Sequence, residues 1–547
     1  MSKVEELGKG LLETLWRAEP VEASVLGVEK YDDKLPPVDP DAIDEILSEL
    51  SKYVAGFEEL LQQDSRDSNL AESERLDVEV ALANIKAKIA IESTASEWMT
   101  NPCRYLSAIN NGLHVLIARE QGSPEDRVEP LIKRLQAVPA FLEQAKRNLV
   151  VERMPREWID IALVAVRGNK IMVNESVRPL LRSLGKGDAV VSDLCDNALE
   201  AVERFGRFLN EAMPEAKGSF ASGKEHFEQL LQEVHMVDMD AYELREFGRA
   251  KVDEYEKMLV DSARRIDGIK HWTELISEFK KDHPAPEGVL DSYRNEVRLA
   301  EEFVREKDLI SIPDGQKWAV LPTPEFSRAT SPMGHMRTSP PFSDGLDSVL
   351  YITPIDLSAS PERQKQHLED NCYAFQKSIA FHEVIPGHHL QSCLSKIGTS
   401  NLRKQFRSTV FIEGWGLYTE YLMAEQGYLS EPATTLINLK NALWRAVRVV
   451  IDVGLHVTGM SLEEATKLLQ DKVRMEYHMA SGEARRYTMS PTYQSSYLLG
   501  KEQIVKLRTD YAAKMGSEYT LKDFHDKLTS YGSIPVALVR REMLAGR

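Results

Sequence analysis

Cysteine is scarce in this chain. Cys103, Cys195, Cys372 and Cys393 are scattered over 547 residues, with no disulfide framework and no pair at metal-ligand spacing. They are expected to be reduced and buried. Long apolar runs are missing too. None approaches the roughly 18 residues of a membrane span, and the opening MSKVEELGKGLLETLW lacks the apolar stretch of a signal peptide. The final LAGR matches no lipidation or retention signal. Positive charge is in deficit: 68 Lys and Arg stand against 86 Asp and Glu, a net −18. That argues against nucleic acid or an anionic membrane as a partner. Strand-like alternation is rare, and no fixed-period repeat is visible. These absences leave a cytoplasmic chain as the expectation. It is long enough for two to four average domains or one large helical body, with its oligomeric state unread.

What is present is helix. Residues 1 to about 310 read as successive helices. ESERLDVEVALANIKAKIAIE places Leu76, Val80, Leu82 and Ile85 near helical spacing. DAYELREFGRAKVDEYEKMLVDSARRI does the same behind Asp240, a candidate N-cap. Between 311 and 361 the texture turns rich in Pro, Ser and Gly, with two short strand candidates, KWAVLP and SVLYITP. A loop and β insertion is expected there, serving as a substrate-binding edge or as a plain linker. From 362 to 547 the chain is helical again. RQKQHLEDNCYAFQKSIAFHEVI predicts one long helix that ends or kinks at Pro386.

The chemistry gathers in FHEVIPGHHLQ, residues 381–391. A catalytic zinc ion takes three protein ligands and leaves one position open, with a nearby carboxylate as general base. His382 and Glu383 supply a ligand and a base at adjacent positions. On an ideal helix His388 lies about 120° off the face of His382 and about 9 Å along the axis. His389 returns in angle but lies farther away. A distortion at Pro386–Gly387 that absorbs two residues would bring His388 back, so His388 is preferred and His389 is the alternative, the unused ring serving nearby. Mn or Co can occupy similar sites.

Two further stretches carry polar groups in apolar surroundings. In LWRAVRVVIDVGLHVTGM, Arg448, Asp452 and His456 recur every four residues and form one stripe on a helix. Buried charges are paired or functional. The stripe is therefore an internal Arg–Asp pair, or it offers Arg448 to a substrate carboxylate and His456 to a developing oxyanion. In GEARRYTMSPTYQSSYLLG, Arg485, Arg486, Tyr487, Tyr493 and Tyr497 cluster. Tyr497 is the first choice for oxyanion donor, and Arg486 and Tyr487 are candidate substrate contacts.

HEVIPGHHLQ, EGWGLYTE, RVVIDVGLH and RYTMSPTYQSSYLLG, in this order, resemble the family catalogued as domain of unknown function 885, within the gluzincin-like metallopeptidases. The likeness is close over residues 340–510 and loose over the N-terminal helices. It departs at PTYQSSY, where the family tends to PGQALSY, so Tyr493 is expected to reshape the pocket. The resemblance implies His388 as second ligand, Glu413 as third, and Glu420 behind a ligand histidine. Gly414 and Gly416 would let the Glu413 helix pack closely on the metal helix. The resemblance also implies a mostly α, zincin-like body with a deep cleft, similar to thimet-type oligopeptidases and Taq-type carboxypeptidases. In this reading 1–310 forms part of the cleft, 311–361 is the insertion and 362–547 is the catalytic region. The expected activity is zinc-dependent hydrolysis of peptide or amide bonds in short substrates, carboxypeptidase- or dipeptidase-like. The alternatives are a metal-dependent enzyme of small-molecule metabolism on the same scaffold, and a metal-free peptide-binding protein.

Overall fold

The helical periodicity read in the sequence is the periodicity of the folded chain. Leu76, Val80, Leu82 and Ile85 are buried on the helix Glu72–Ala90. Asp240 caps the helix Ala241–Ile266. Its carboxylate accepts from the N–H groups of Tyr242 and Glu243, both at 2.8 Å, which satisfies two donors the helix leaves open. The structure, a computed structural model, describes residues 2–67, 70–119, 123–325, 328, 331 and 333–545. It is mostly α-helical, with one three-stranded sheet among the described residues. No helix among them is long and apolar enough to cross a membrane. All four cysteines are buried and free.

The chain forms two compact units. The first comprises Met1–Phe220, Glu325–Thr330 and Pro340–Ser343. The second comprises Ala221–Pro324, Ser331–Ser339 and Asp344–Arg547, so residues 221–310 pack with the C-terminal helices. The first unit buries Arg134 completely. Its guanidinium is satisfied by Lys34 and Tyr31 carbonyls and the Ser24 hydroxyl, at 3.0, 3.3 and 2.7 Å, as a buried cation requires.

The second unit carries the sheet. β1 (Gln316–Pro322) and β3 (Leu346–Ile352) match the two strand candidates, and β2 (Gly334–Arg337) is an additional short strand. The order is β1-β3-β2, with β1 parallel and β2 antiparallel to β3. Beyond the sheet, the expected single helix over 363–385 is interrupted. Pro361–Asp370 and Tyr373–Ile379 are separate helices. Asn371 breaks the path: its amide donates back to the His367 carbonyl at 2.9 Å and its oxygen accepts from the buried Tyr293 hydroxyl at 3.0 Å. Such local side-chain bonds compete with helix continuation.

Two helix pairs build the body of this unit. Thr409–Glu425 packs along Tyr493–Met515, and Ala241–Ile266 packs along Pro432–His456. Gly414 meets Gly500 where the first pair crosses, so close that neither position has room for a side chain. The expected role of Gly414 is thus corrected: it admits the Tyr493–Met515 helix, and the metal-cluster side falls to Gly416.

Candidate metal centre

Helix Tyr373–Ile379 runs into a π-helical turn, Ala380–Val384, which carries His382 and Glu383. The turn ends at Val384. Ile385 to Gly387 connect it to a new helix, His388–Lys396, whose first residue is His388. Pro386 and Gly387 therefore end one helix and start another, instead of bulging a continuous one. Trp415 Nε1 donates to the Pro386 carbonyl at 2.8 Å and holds the connection. The His382 and His388 rings meet edge to face, centroids 4.9 Å apart.

Glu413, in the first turns of Thr409–Glu425, completes a group of three. One ligand atom each from His382, His388 and Glu413 lies within 4.8 Å of the others. His388 Nε2 is 3.6 Å from Glu413 Oε2, with only 12% and 13% of the two side chains exposed. A methyl group at Gly416 would stand 2.8–3.0 Å from the His382 and His388 rings, so the helix can pass the imidazoles only with glycine there. His389 points elsewhere. It donates from Nε2 to Gln316 Oε1 at 2.6 Å and accepts at Nδ1 from the Ser348 hydroxyl at 2.7 Å, tying its helix to β1 and β3.

Behind the cluster, His382 Nδ1 donates to Glu420 Oε1 at 2.8 Å. That bond fixes the tautomer and leaves Nε2 facing the other two groups. Glu420 also accepts from Asn438 at 3.2 Å, and Arg445 Nη2 lies 3.7 Å away. Burial opposes ionisation of Glu420, but the Arg445 charge and His382 hold its pKa below the ordinary value. Burial likewise opposes ionisation of Glu413, yet His388 and the Tyr493 hydroxyl hold it at about 2. For His388, burial disfavours the cation, and Glu413 with the charges of Glu383 and Glu420 outweighs it, raising the pKa to about 9. His388 Nδ1 has no hydrogen-bond partner among the described residues. Three carboxylates thus act on the His388 ring, a setting that favours positive charge there. The Glu383 charge also acts on His335, a half-buried residue of β2 that packs on Tyr351 with centroids 5.0 Å apart.

The tyrosines lie on the other side of Glu413. The Tyr493 hydroxyl donates to Glu413 Oε1 at 2.6 Å, and the Tyr497 hydroxyl is 3.4 Å from that of Tyr493. Tyr497 rests over the Arg448 guanidinium at 4.9 Å, and Trp444 over the same group at 4.2 Å.

Arg448 and Arg486 are not the free cations expected. Arg448 reaches Glu483 at 3.3 Å and donates to the Tyr487 hydroxyl at 2.9 Å. Arg486 donates to both oxygens of Glu483, at 3.2 and 2.8 Å. Tyr487 is fully buried and also accepts from Trp444 Nε1 at 3.1 Å, so it is a packing knot. Asp452 is not the partner of Arg448 either. It accepts from Thr492 N–H, Ser495 N–H and the Ser495 hydroxyl at 3.2, 3.1 and 2.7 Å, capping the tyrosine helix. His456 is not brought to the cluster. Nε2 donates to the Tyr487 carbonyl at 3.0 Å and Nδ1 accepts from Ser222 N–H at 3.4 Å. Burial pushes its pKa down to about 4, which suits a neutral structural ring.

Sequence reasoning missed the direct bond from Tyr493 to Glu413 and the support of Glu420 by Asn438 and Arg445. The signals were there. Tyr493 and Tyr497 share a helix face at spacing four, and Asn438 and Arg445 share one at spacing seven.

A family profile described as bacterial protein of unknown function (DUF885) matches residues 20–543. Among solved structures, the chain is similar to a candidate lipoprotein of unknown function from Shewanella oneidensis, at 23% identity and TM-score 0.82, with all of both chains covered. It is similar also to a candidate lipoprotein from Colwellia psychrerythraea, at 16% identity and TM-score 0.80, covering 99% of this chain and 98% of that one. No curated protein matches.

Proposed function

The chain belongs to the DUF885 family of bacterial proteins, and we propose that it is a gluzincin-like, zinc-dependent hydrolase of peptide or amide bonds in short substrates. The observation that carries this reading is the convergence of His382, His388 and Glu413 within 4.8 Å, with Glu383 next to the first of them. Two imidazoles and one carboxylate are a donor set that zinc takes in catalytic sites with an open fourth position. The polar support is of the kind such sites need: Glu420 orients His382, and Gly416 leaves the space.

Zinc, when bound there, supplies Lewis-acid chemistry. The residues supply the rest. Glu383 accepts a proton from the attacking water and returns it to the leaving nitrogen, so the scissile bond breaks without releasing an amide anion. Tyr497 is the hydroxyl best suited to the oxyanion. The Tyr493 proton is already committed to Glu413, whereas the Tyr497 hydroxyl has, among the described residues, the 3.4 Å contact to Tyr493. The Glu383 charge acts on half-buried His335 of β2, and this ring is our candidate for a substrate contact beside Glu383.

A carboxypeptidase- or dipeptidase-like preference would need a cation for the substrate carboxylate. Arg448 and Arg486 are both occupied by Glu483, so the reading kept is hydrolysis without a stated end preference. The expected cytoplasmic location stays part of the proposal, with cell fractionation as its check, although two similar structures are described as candidate lipoproteins.

Glu383→Gln tests the mechanism. It should retain metal and lose at least about 100-fold in turnover of any short peptide or amide the wild type cleaves. Unchanged turnover would overturn the assigned role of Glu383.

A further inference from the structure

The two oxygens of Glu413 have different neighbours. Oε1 accepts the Tyr493 hydroxyl at 2.6 Å, and Oε2 faces His388 Nε2 at 3.6 Å. A bond this short between a phenol and a carboxylate is among the stronger hydrogen bonds a protein makes. It is also aimed. Tyr493 is the first residue of its helix, and the residue before it, Thr492, stands at φ +68°, a left-handed conformation rare outside glycine. The surroundings enforce it. Thr492 N–H and Ser495 donate to Asp452, a residue of a different helix, and the Thr492 hydroxyl meets His235 Nε2 at 3.0 Å. Thr492, Ser495 and Asp452 are all buried. Strained backbone held by several buried bonds marks a position the fold over-determines. Here it sets where the Tyr493 phenol points.

We propose that Tyr493 is a positioning residue that reserves Oε1 of Glu413, so that Glu413 offers the metal ion a single oxygen, Oε2. The proposal rests on the metal-centre reading above. A carboxylate with both oxygens free can take two coordination positions. With Oε1 held by a phenol it takes one, and the position that substrate and water need stays open. Tyr493 and Tyr497 then have separate duties despite their shared face: the first holds a ligand and the second keeps its proton for substrate.

Tyr493→Phe keeps the ring against Tyr497, where the two pack edge to face with centroids 5.9 Å apart, and removes only the hydroxyl. Metal-free wild type and variant would be titrated with Zn²⁺ against a chromophoric chelator, then loaded with Co²⁺ for the visible absorption spectrum. Denaturant midpoints would be taken without metal. The variant should bind Zn²⁺ about 10–100-fold more weakly. Its Co²⁺ bands should shift and weaken as the second oxygen enters, and its metal-free midpoint should match the wild type. Equal affinity with identical Co²⁺ spectra would overturn the clamp. A lower metal-free midpoint without a spectral change would reduce Tyr493 to a packing role and overturn it too. Failure of the wild type to take up either ion would sink the metal reading and the clamp together, whereas uptake with an indifferent variant sinks the clamp alone.

Discussion

Replacing Gly416 by alanine sets one methyl group against both imidazoles. It would stand 2.8 Å from His382 Cε1, 2.9 Å from His382 Nε2 and 3.0 Å from His388 Cε1. Carbon contacts ordinarily settle near 3.5–4.0 Å, so each ring must retreat by about half an ångström or more. His382 cannot retreat freely, because Nδ1 is held by Glu420 at 2.8 Å. Overpacking of this kind costs about 1–3 kcal/mol. Loaded onto the metal-competent arrangement, that is about 5- to 150-fold in zinc affinity. Alanine is the better helix former by about 1 kcal/mol, which offsets part of the strain in the metal-free fold. The expected signature is a large loss of metal affinity with a small change in metal-free stability. Chelator-competition titration and denaturant unfolding read the two quantities separately. Wild-type affinity in Gly416→Ala would refute the placement of the two rings around a shared ion.

The other expectations follow from the same geometry. Glu420→Gln should weaken zinc binding by about 10–100-fold, because His382 loses its charged acceptor; equal affinity by the same titration would contradict the orienting role. Glu483→Gln leaves Arg448 buried without a carboxylate, and removing one partner of a buried pair costs about 3–5 kcal/mol; a denaturant midpoint equal to the wild type would contradict the pairing. Burial, opposed by the Arg448 and Arg486 charges, leaves Glu483 at about 2. Its folded pKa lies below its unfolded value, so its contribution is present above about pH 4.5 and is lost as pH falls toward 2. The wild type and Glu483→Gln should therefore converge in stability over that window. His235, His389, His456 and His525 are pushed by burial to about 4. Unfolding lets them protonate near 6.5, so stability should fall as pH drops from about 6.5 to 4; a flat stability profile there would contradict their neutral burial.

How much of this was legible in the sequence depends on range. Helices driven by an apolar face, such as Glu72–Ala90, and a cap three residues from its target, such as Asp240, are local and could be read. The break at Asn371 could not, since it depends on Tyr293, 78 residues earlier. β2 has four residues without alternation, and only its pairing to β3 makes it a strand. In the site, His382, Glu383 and His388 stood out because a ligand, a base and a second ligand follow one another closely, and Glu413 came from the resemblance of EGWGLYTE to the family pattern. Arg448 stood out as a charge among apolar neighbours and Arg486 by its place in the tyrosine cluster, and there the signal misled: their partner is Glu483, 35 positions from Arg448. Sequence spacing showed that a polar stripe exists on the helix Pro432–His456. It could not show that Arg448 pairs with Glu483, Asp452 with Thr492 and Ser495, and His456 with the Tyr487 carbonyl and Ser222.

Metal content per chain tests the central claim most directly. It would be determined on protein purified with neither metal nor chelator added, for the wild type, His388→Ala and His389→Gln. About one zinc per chain in the wild type and in His389→Gln, with little in His388→Ala, is the result the geometry predicts. No metal in the wild type after zinc exposure, or equal metal in His388→Ala, would contradict it.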